Sequence, residues 1–346
     1  MSRHAAGPFD GERVLIALGG NAMTAPDGSA APHAQRAAVE AAMEHVADLV
    51  AAGARVALTH GNGPQVGNLL IKNQLAADVV PPVPLDWCGA QTQATVGVLI
   101  MNALERALAA RGAARPVTAI VTRTLVDAAD RAFADPVKPV GRYFPRAEAE
   151  RFMALGQAWR SYGPRGWRRV VPSPEPLEIL DAGAAALLLD AGHIVVAAGG
   201  GGVPVVRAAG GEDARAEGNT DGALRGVEAV VDKDLAAALL ARRLGATTLV
   251  IATDVEHVLV GYGTPRERPL HRTTARELRT LAAAGHFAGG SMGPKVAAAC
   301  RFVEGGGRRA AITSLDRITD AVRGKAGTVV EPGERTGAGG GPSAAH

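Results

Sequence analysis

Lysine is scarce in this chain: of 37 basic side chains only five are lysines, Lys72, Lys138, Lys233, Lys295 and Lys325. Arginine serves nearly everywhere a generic surface cation would do. A retained ammonium, a compact point charge on a flexible stem, therefore marks a position where that geometry matters. Three of the five have informative neighbours. Lys233 lies in Val231-Asp232-Lys233-Asp234, Lys295 follows Gly289-Gly290-Ser291-Met292-Gly293-Pro294, and Lys138 sits between Pro136 and Pro139, which limit the local backbone. Phosphoryl transfer needs cations of this kind, because its transition state spreads charge over the phosphoryl oxygens. Asp232 and Asp234 would orient the ammonium groups; the other reading of Asp232-Lys233-Asp234 is a solvated helix-capping cluster.

Three glycine turns accompany the lysines: Leu18-Gly19-Gly20-Asn21-Ala22, His60-Gly61-Asn62-Gly63, and Gly199-Gly200-Gly201-Gly202. Each follows a short apolar run. Glycine lets backbone N–H groups approach an anion, and a following helix adds roughly half a positive charge at its N-terminus. Such turns could surround a phosphate chain, or their glycines could merely satisfy positive φ.

Other chemistries are disfavoured. Gly324-Lys325 is followed by Ala326 rather than Ser or Thr, and no GxGxxG follows the first strand, so neither standard nucleotide fingerprint is present. Gly289-Gly290-Ser291-Met292-Gly293 matches a serine nucleophile elbow, but a helix-like run precedes it and the only later histidine is His346. His60, beside a glycine turn, reads as a packing or hydrogen-bonding residue rather than a base.

The elements that must position these residues alternate. Strands are expected at Val14–Leu18, Arg55–Thr59, Val117–Thr122, Ile194–Ala198, Thr248–Ala252 and Ala310–Thr313. Helices are expected from His33 to about Ala52, to about Gln74, from Asp86 to about Ala110, and at Lys233–Leu244 and Ser291–Glu304. This alternation predicts an α/β fold with a mostly parallel sheet covered on both faces and ligands at the C-terminal strand ends. Charge, proline and aromatics concentrate at about 127–169, which reads as an inserted lobe on one domain spanning 11–330. Arg207–Asp221 reads as a long surface loop and 331–346 as a disordered tail.

Composition narrows the class further. The net charge of +3 is spread along the chain without a basic block, and aromatics make up only 3%, which argues against nucleic-acid binding. Cys88 and Cys300 are the only cysteines, so no disulfide framework or CxxC metal site is written. Neither a signal-type N-terminus nor an apolar run of membrane-spanning length stands out, and a cytoplasmic protein without a membrane partner is expected.

The segments VLIALGGNA, THGNGPQVGN, PLDWCGAQTQ, FADPVKPVG, RRVVPSPEP, GGGGVPVV, GVEAVVDKDLA and GHFAGGSMGPKVAAA, in this order, resemble the carbamate kinases of the amino-acid kinase superfamily from about Arg13 to Val330. The resemblance implies a three-layer αβα open sandwich with a small protruding subdomain, and a homodimer. It implies that Lys233 and Lys295 contact the transferring phosphoryl group, that Asp234 organises them, and that Lys138 reaches in from the lobe. Gly19, Gly20, Asn21, Gly61 and Asn62 would line the carbamate and phosphoryl pocket. Asp254, Val255, Met292 and Gly293 would lie on the nucleotide side, with ATP or ADP carrying Mg²⁺ and no protein metal ligand. The chain departs from the family pattern at Cys88-Gly89-Ala90-Gln91-Thr92-Gln93-Ala94, usually CGAMSQG, and at Gly141-Arg142-Tyr143-Phe144, usually GPFY. The Arg207–Asp221 loop is also longer than typical.

The expected reaction is direct in-line phosphoryl transfer between ATP/ADP and carbamate/carbamoyl phosphate. Two rivals stand beside it: a same-fold kinase acting on another carboxylate or phosphate, and a catalytically silent nucleotide sensor.

Overall fold

The computed structural model describes residues 7–20, 31–208, 222–287 and 291–333. Expectations for Asn21, Gly289, Gly290, most of the Arg207–Asp221 loop and the tail beyond Gly333 lie outside those residues.

Strand β1 (Arg13–Leu18) shows how the molecule is layered. Leu15 and Ala17 join one apolar cluster, while Val14, Ile16 and Leu18 join another on the opposite face. The period-two pleat alone produces this division, and a strand apolar on both sides suits the interior of a parallel sheet. With β1 go β2 (Arg55–His60), β3 (Val117–Ala119), β4 (Ile194–Val196), β5 (Thr248–Thr253), β6 (Arg272–Thr274), β7 (Arg309–Ser314) and β8 (Thr328–Glu331). Their order is β6-β8-β7-β5-β1-β2-β4-β3, and only the β7–β8 pairing is antiparallel.

Helices Pro32–Ala51 and Leu85–Ala110 cover one face, burying Val39, Met43, Val46 and Val50 from the first and Val96, Ile100, Leu104 and Leu108 from the second. Those spacings of three and four put each set on one helical stripe. Helices Ala182–Asp190, Lys233–Arg243, Ala275–Ala283 and Met292–Glu304 cover the other face. The result is a three-layer αβα sandwich. Truncating a fully buried side chain such as Ile16 or Leu58 to alanine costs about 2–5 kcal/mol.

The expected single strand Val117–Thr122 is two pieces. β3 stops at Ala119, and a new strand, Arg123–Val126, starts in a separate four-stranded sheet with Pro176–Ile179, Val203–Arg207 and Leu224–Gly226. The Gln93 side chain sits at the break. Its Oε1 accepts from both the N–H and the hydroxyl of Thr122, each at 3.0 Å, and its Nε2 donates to the Thr122 carbonyl at 3.1 Å. The Thr122 carbonyl also accepts the Val203 N–H at 2.8 Å, so a buried amide and a backbone bond together satisfy Thr122 where the chain crosses between sheets.

Residues 138–171 form a third sheet, with antiparallel strands Lys138–Phe144, Trp167–Val171 and Trp159–Ser161. Helix Arg146–Met153 packs on it through Phe144, Ala149 and Trp159, with Phe152 stacked on Trp159 at 5.6 Å. Val140 and Val171 fasten this sheet to the body by packing with Val66, Leu70, Leu85 and Cys88. Arg169 adds an ion pair to Glu228 at 2.9 Å, and the other Glu228 oxygen accepts the Leu85 N–H.

Candidate active site

Strands β5, β1, β2 and β4 are adjacent and parallel, so their C-terminal ends share one edge of the sheet. The chain leaves those ends through Asp254, Gly19, Gly61 and the 198–202 turn respectively. Ligands of such sheets bind at this edge.

Two helices on one face bring their first turns here. Asp232 caps helix Lys233–Arg243: its Oδ1 accepts the N–H groups of Asp234 at 3.0 Å and Leu235 at 3.4 Å. A capping aspartate immediately before the first helical residue is the arrangement the sequence favours. The turn it fixes aims Lys233 and Asp234 at their partners. Lys233 Nζ lies 2.6 Å from Asp234 Oδ1, while Lys295, from the first turn of helix Met292–Glu304, lies 3.1 Å from Asp234 Oδ2. One carboxylate therefore divides itself between two ammonium groups. Asp234 and Lys295 are only 3% and 5% exposed, which rules out a solvated surface cluster. Asp232 does cap the helix, and it is buried as well.

Burial works against ionising Asp234, but the neighbouring Lys233 and Lys295 charges outweigh it and hold its pKa below the ordinary carboxylate value. The cluster sets two lysine side chains against one carboxylate, a formal excess of one positive charge. Two helix N-termini add to it.

The glycine turns close around the Lys233 stem. Gly61 donates its N–H to the Leu18 carbonyl at 3.0 Å. A Cβ at Gly61 would come within 3.4 Å of the Gly20 nitrogen and 3.5 Å of Lys233 Cδ. Gly19 abuts the end of β5, where a Cβ would meet the Ala252 carbonyl oxygen at 2.9 Å. At Gly200 a Cβ would overlap the Asn62 amide at 2.1 Å, and φ is 65°, so glycine is required there twice over. The Asn62 amide instead donates to Thr92 Oγ1 at 2.9 Å, and that hydroxyl donates to the Gly89 carbonyl at 2.7 Å. Thr92, in the divergent Cys88–Ala94 segment, thereby holds Asn62 by its hydroxyl.

His60 is 1% exposed. Its Nδ1 lies 2.9 Å from the Gly61 carbonyl and its Nε2 side faces Gly199. Burial, reinforced by the Lys233 charge and only partly opposed by the Gly61 carbonyl, pushes its pKa down to about 4. It is a neutral hydrogen-bonding residue near pH 7.

Of the residues expected from sequence, Gly19, Gly20, Gly61, Asn62, Lys233, Asp234 and Lys295 form this connected group. Lys138 attaches indirectly: its Nζ pairs with Asp232 Oδ2 at 2.8 Å, tying the third sheet to the helix cap. Asp254 and Val255 follow β5 on the same edge, with Asp254 accepting the Thr253 hydroxyl at 3.0 Å. Met292 and Gly293 open the helix that carries Lys295. Asn21 lies outside the described residues. Ser291 is exposed and directly precedes helix Met292–Glu304, and the described element before it in the chain is helix Ala275–Ala283 rather than a strand. Sequence reading missed the Gln93–Thr122 unit and the Arg169–Glu228 tether. The QTQ of PLDWCGAQTQ and the acid in GVEAVV were the available signals.

The sequence profile of the amino acid kinase family matches residues 12–314. The chain belongs to the amino acid kinase family. The carbamate kinase of Pyrococcus furiosus is 42% identical over 326 residues, covering 93% of this chain and 100% of that one. The carbamate kinase of Thermococcus kodakarensis is 44% identical over 324 residues, covering 92% and 99%. The structure of carbamate kinase from Giardia lamblia bound to AMP-PNP matches this fold with a TM-score of 0.85 at 41% identity, covering 93% of this chain and 99% of that one.

In this member of the amino acid kinase family the chemical capacity of the site is specific. A fixed, partly compensated pair of lysines and backbone N–H groups can hold a polyanion and stabilise charge that builds on it. No described group there is set up as a nucleophile or as a base titrating near pH 7.

Proposed function

We propose that the protein is a carbamate kinase, catalysing reversible phosphoryl transfer from ATP to carbamate to give ADP and carbamoyl phosphate. The observation that carries this reading is the buried Lys233–Asp234–Lys295 cluster at the glycine-lined strand ends, in a chain aligned over nearly its full length with carbamate kinases.

In the forward direction a carbamate oxygen attacks the γ-phosphorus of ATP. A new O–P bond forms while the bond to the β-phosphate bridging oxygen breaks, and that electron pair leaves on ADP. Carbamate is already an anion, so no general base is needed, in keeping with the neutral, inward-facing His60. The obstacle is repulsion between an anionic nucleophile and a polyphosphate. Lys233 and Lys295 offset it at the phosphoryl oxygens, and Asp234 keeps both ammonium groups in place before substrate arrives. Gly19, Gly20, Gly61 and Asn62 line the acceptor side, and Lys138 approaches from the third sheet. Asp254, Val255, Met292 and Gly293 lie on the nucleotide side.

Mg²⁺ enters this reading with the nucleotide. No group of three or more acidic, histidine or cysteine side chains converges among the described residues, and Asp232 and Asp234 are already engaged by ammonium groups. Such surroundings fit an ion held by nucleotide oxygens and water, neutralising phosphate charge.

The reading extends to a homodimer in the cytoplasm. Trp87 and Val98, exposed on one stripe of helix Leu85–Ala110, and exposed Val121 supply apolar surface for a second copy, which analytical ultracentrifugation would test. The two free, buried cysteines suit a reducing compartment. No helix among the described residues is long and apolar enough to cross a membrane.

The test is to mix purified protein with ADP, Mg²⁺ and carbamoyl phosphate and to measure ATP. Acetyl phosphate and UDP replace carbamoyl phosphate as the phosphoryl donor to ADP in parallel assays. Rapid ATP formation from carbamoyl phosphate alone is expected. Preference for another acceptor would place the protein with a different kinase activity, and nucleotide binding without turnover would make it a sensor.

A further inference from the structure

Away from the lysine cluster, strands Val258–Val260 and Arg268–Leu270 form a two-stranded antiparallel ribbon with Val258 opposite Leu270 and Val260 opposite Arg268. One step further along that register places His257 opposite His271. Directly opposed residues on such a ribbon bring their Cβ atoms within about 5.5 Å. The rings meet nearly edge to face, with centroids 4.4 Å apart at 73°. His257 Nε2 and His271 Nδ1 are 3.0 Å apart, with His271 exposed and His257 half-buried.

Two neutral imidazoles can meet this way by sharing one proton. Moving that proton to the donor ring's other nitrogen, the second tautomer of a neutral imidazole, leaves two unprotonated nitrogens 3.0 Å apart. We infer that His257 and His271 form a chelating site for a divalent transition-metal ion of the copper or nickel class.

The separation selects the ion. With metal–nitrogen bonds of about 2.0–2.1 Å, a nitrogen separation of 3.0 Å corresponds to a ligand angle of about 95°. Square-planar and octahedral ions accept that angle, whereas a tetrahedral ion such as Zn²⁺ requires a separation of about 3.3 Å. Among the described residues no third acidic, histidine or cysteine side chain completes a cluster here. Water fills the remaining positions, and the site is open and exchangeable.

The test is calorimetric titration of untagged, full-length, EDTA-stripped protein with NiCl₂, CuCl₂ and ZnCl₂. The expected result is one Ni²⁺ per chain bound at this site, Cu²⁺ tighter than Ni²⁺, and Zn²⁺ weakest. His257→Ala should weaken Ni²⁺ binding at least about tenfold, the scale of loss seen even for outer-sphere partners. His271→Gln, at an exposed position that spares the fold, should do the same while leaving the metal-free unfolding midpoint unchanged. Absence of saturable Ni²⁺ binding, binding unaltered in both variants, or Zn²⁺ binding tighter than Ni²⁺ would each overturn the assignment.

Discussion

Lys295 and Asp234 lie 3.1 Å apart, on the first turns of two different helices, with both side chains almost fully withdrawn from water. Taking an ion pair out of water costs several kcal/mol per ion, and their attraction repays this only when geometry is good. Apolar residues of similar volume would often serve stability as well. The pair is better understood as holding a charge ready for an anion.

Breaking the pair from one side exposes that cost. Asp234→Asn leaves Lys233 and Lys295 facing each other without a counter-charge and should reduce stability by about 3–5 kcal/mol. Urea unfolding near pH 7 measures it. Asp234→Leu combined with Lys295→Met should recover much of that loss and none of the activity. A single-variant cost below about 1 kcal/mol would show that the cluster is not electrostatically coupled.

Lys138 has a different place in the account. Its ammonium pairs with Asp232, and its strand belongs to the separately packed sheet of residues 138–171. Lys138→Ala should raise the KM for carbamoyl phosphate, or lower kcat, while the KM for ADP stays nearly unchanged. Steady-state kinetics with each substrate varied in turn decide this. Wild-type values for both carbamoyl phosphate parameters would remove Lys138 from the site.

His60 makes stability depend on pH. Its pKa falls from 6.5 in the open chain to about 4 in the fold because the ring is buried. Between those values the unfolded chain binds the extra proton, so stability is lost as pH falls from 6.5 toward 4. The total is about 3 kcal/mol at roughly 1.4 kcal/mol per pH unit. In His60→Gln the slope of unfolding free energy against pH between 5 and 6.5 should be shallower by up to about that amount per unit. An unchanged slope would mean that His60 does not carry the dependence.

Much of this was legible in the sequence because the relevant signals are local. Apolar runs ending in Gly19, Gly61 and Gly199 mark strand ends, and the alternation of strand and helix marks a parallel sheet, whose C-terminal edge must then collect those turns. The rarity of lysine marks Lys233 and Lys295 as candidates. Their convergence on one carboxylate was not written locally, since 61 positions separate Asp234 from Lys295 in the chain. Nor was the break in the Val117–Thr122 strand. Nothing in that run of apolar and β-branched residues shows that Gln93, 29 positions earlier, takes over the Thr122 backbone. The Arg169–Glu228 tether was hidden for the same reason, as two ordinary charges 59 positions apart. The Asp232-Lys233-Asp234 triplet admitted two readings until burial decided between them.

The sharpest test of the lysine cluster is kcat for ATP formation from ADP and carbamoyl phosphate in Lys233→Met and Lys295→Met, which keep the aliphatic stems and remove the charges. Each should lose about 10²-fold or more, the scale found when an electrostatic stabiliser of a transition state is removed, in protein that still folds. Turnover close to that of the unaltered protein in both variants would contradict the account.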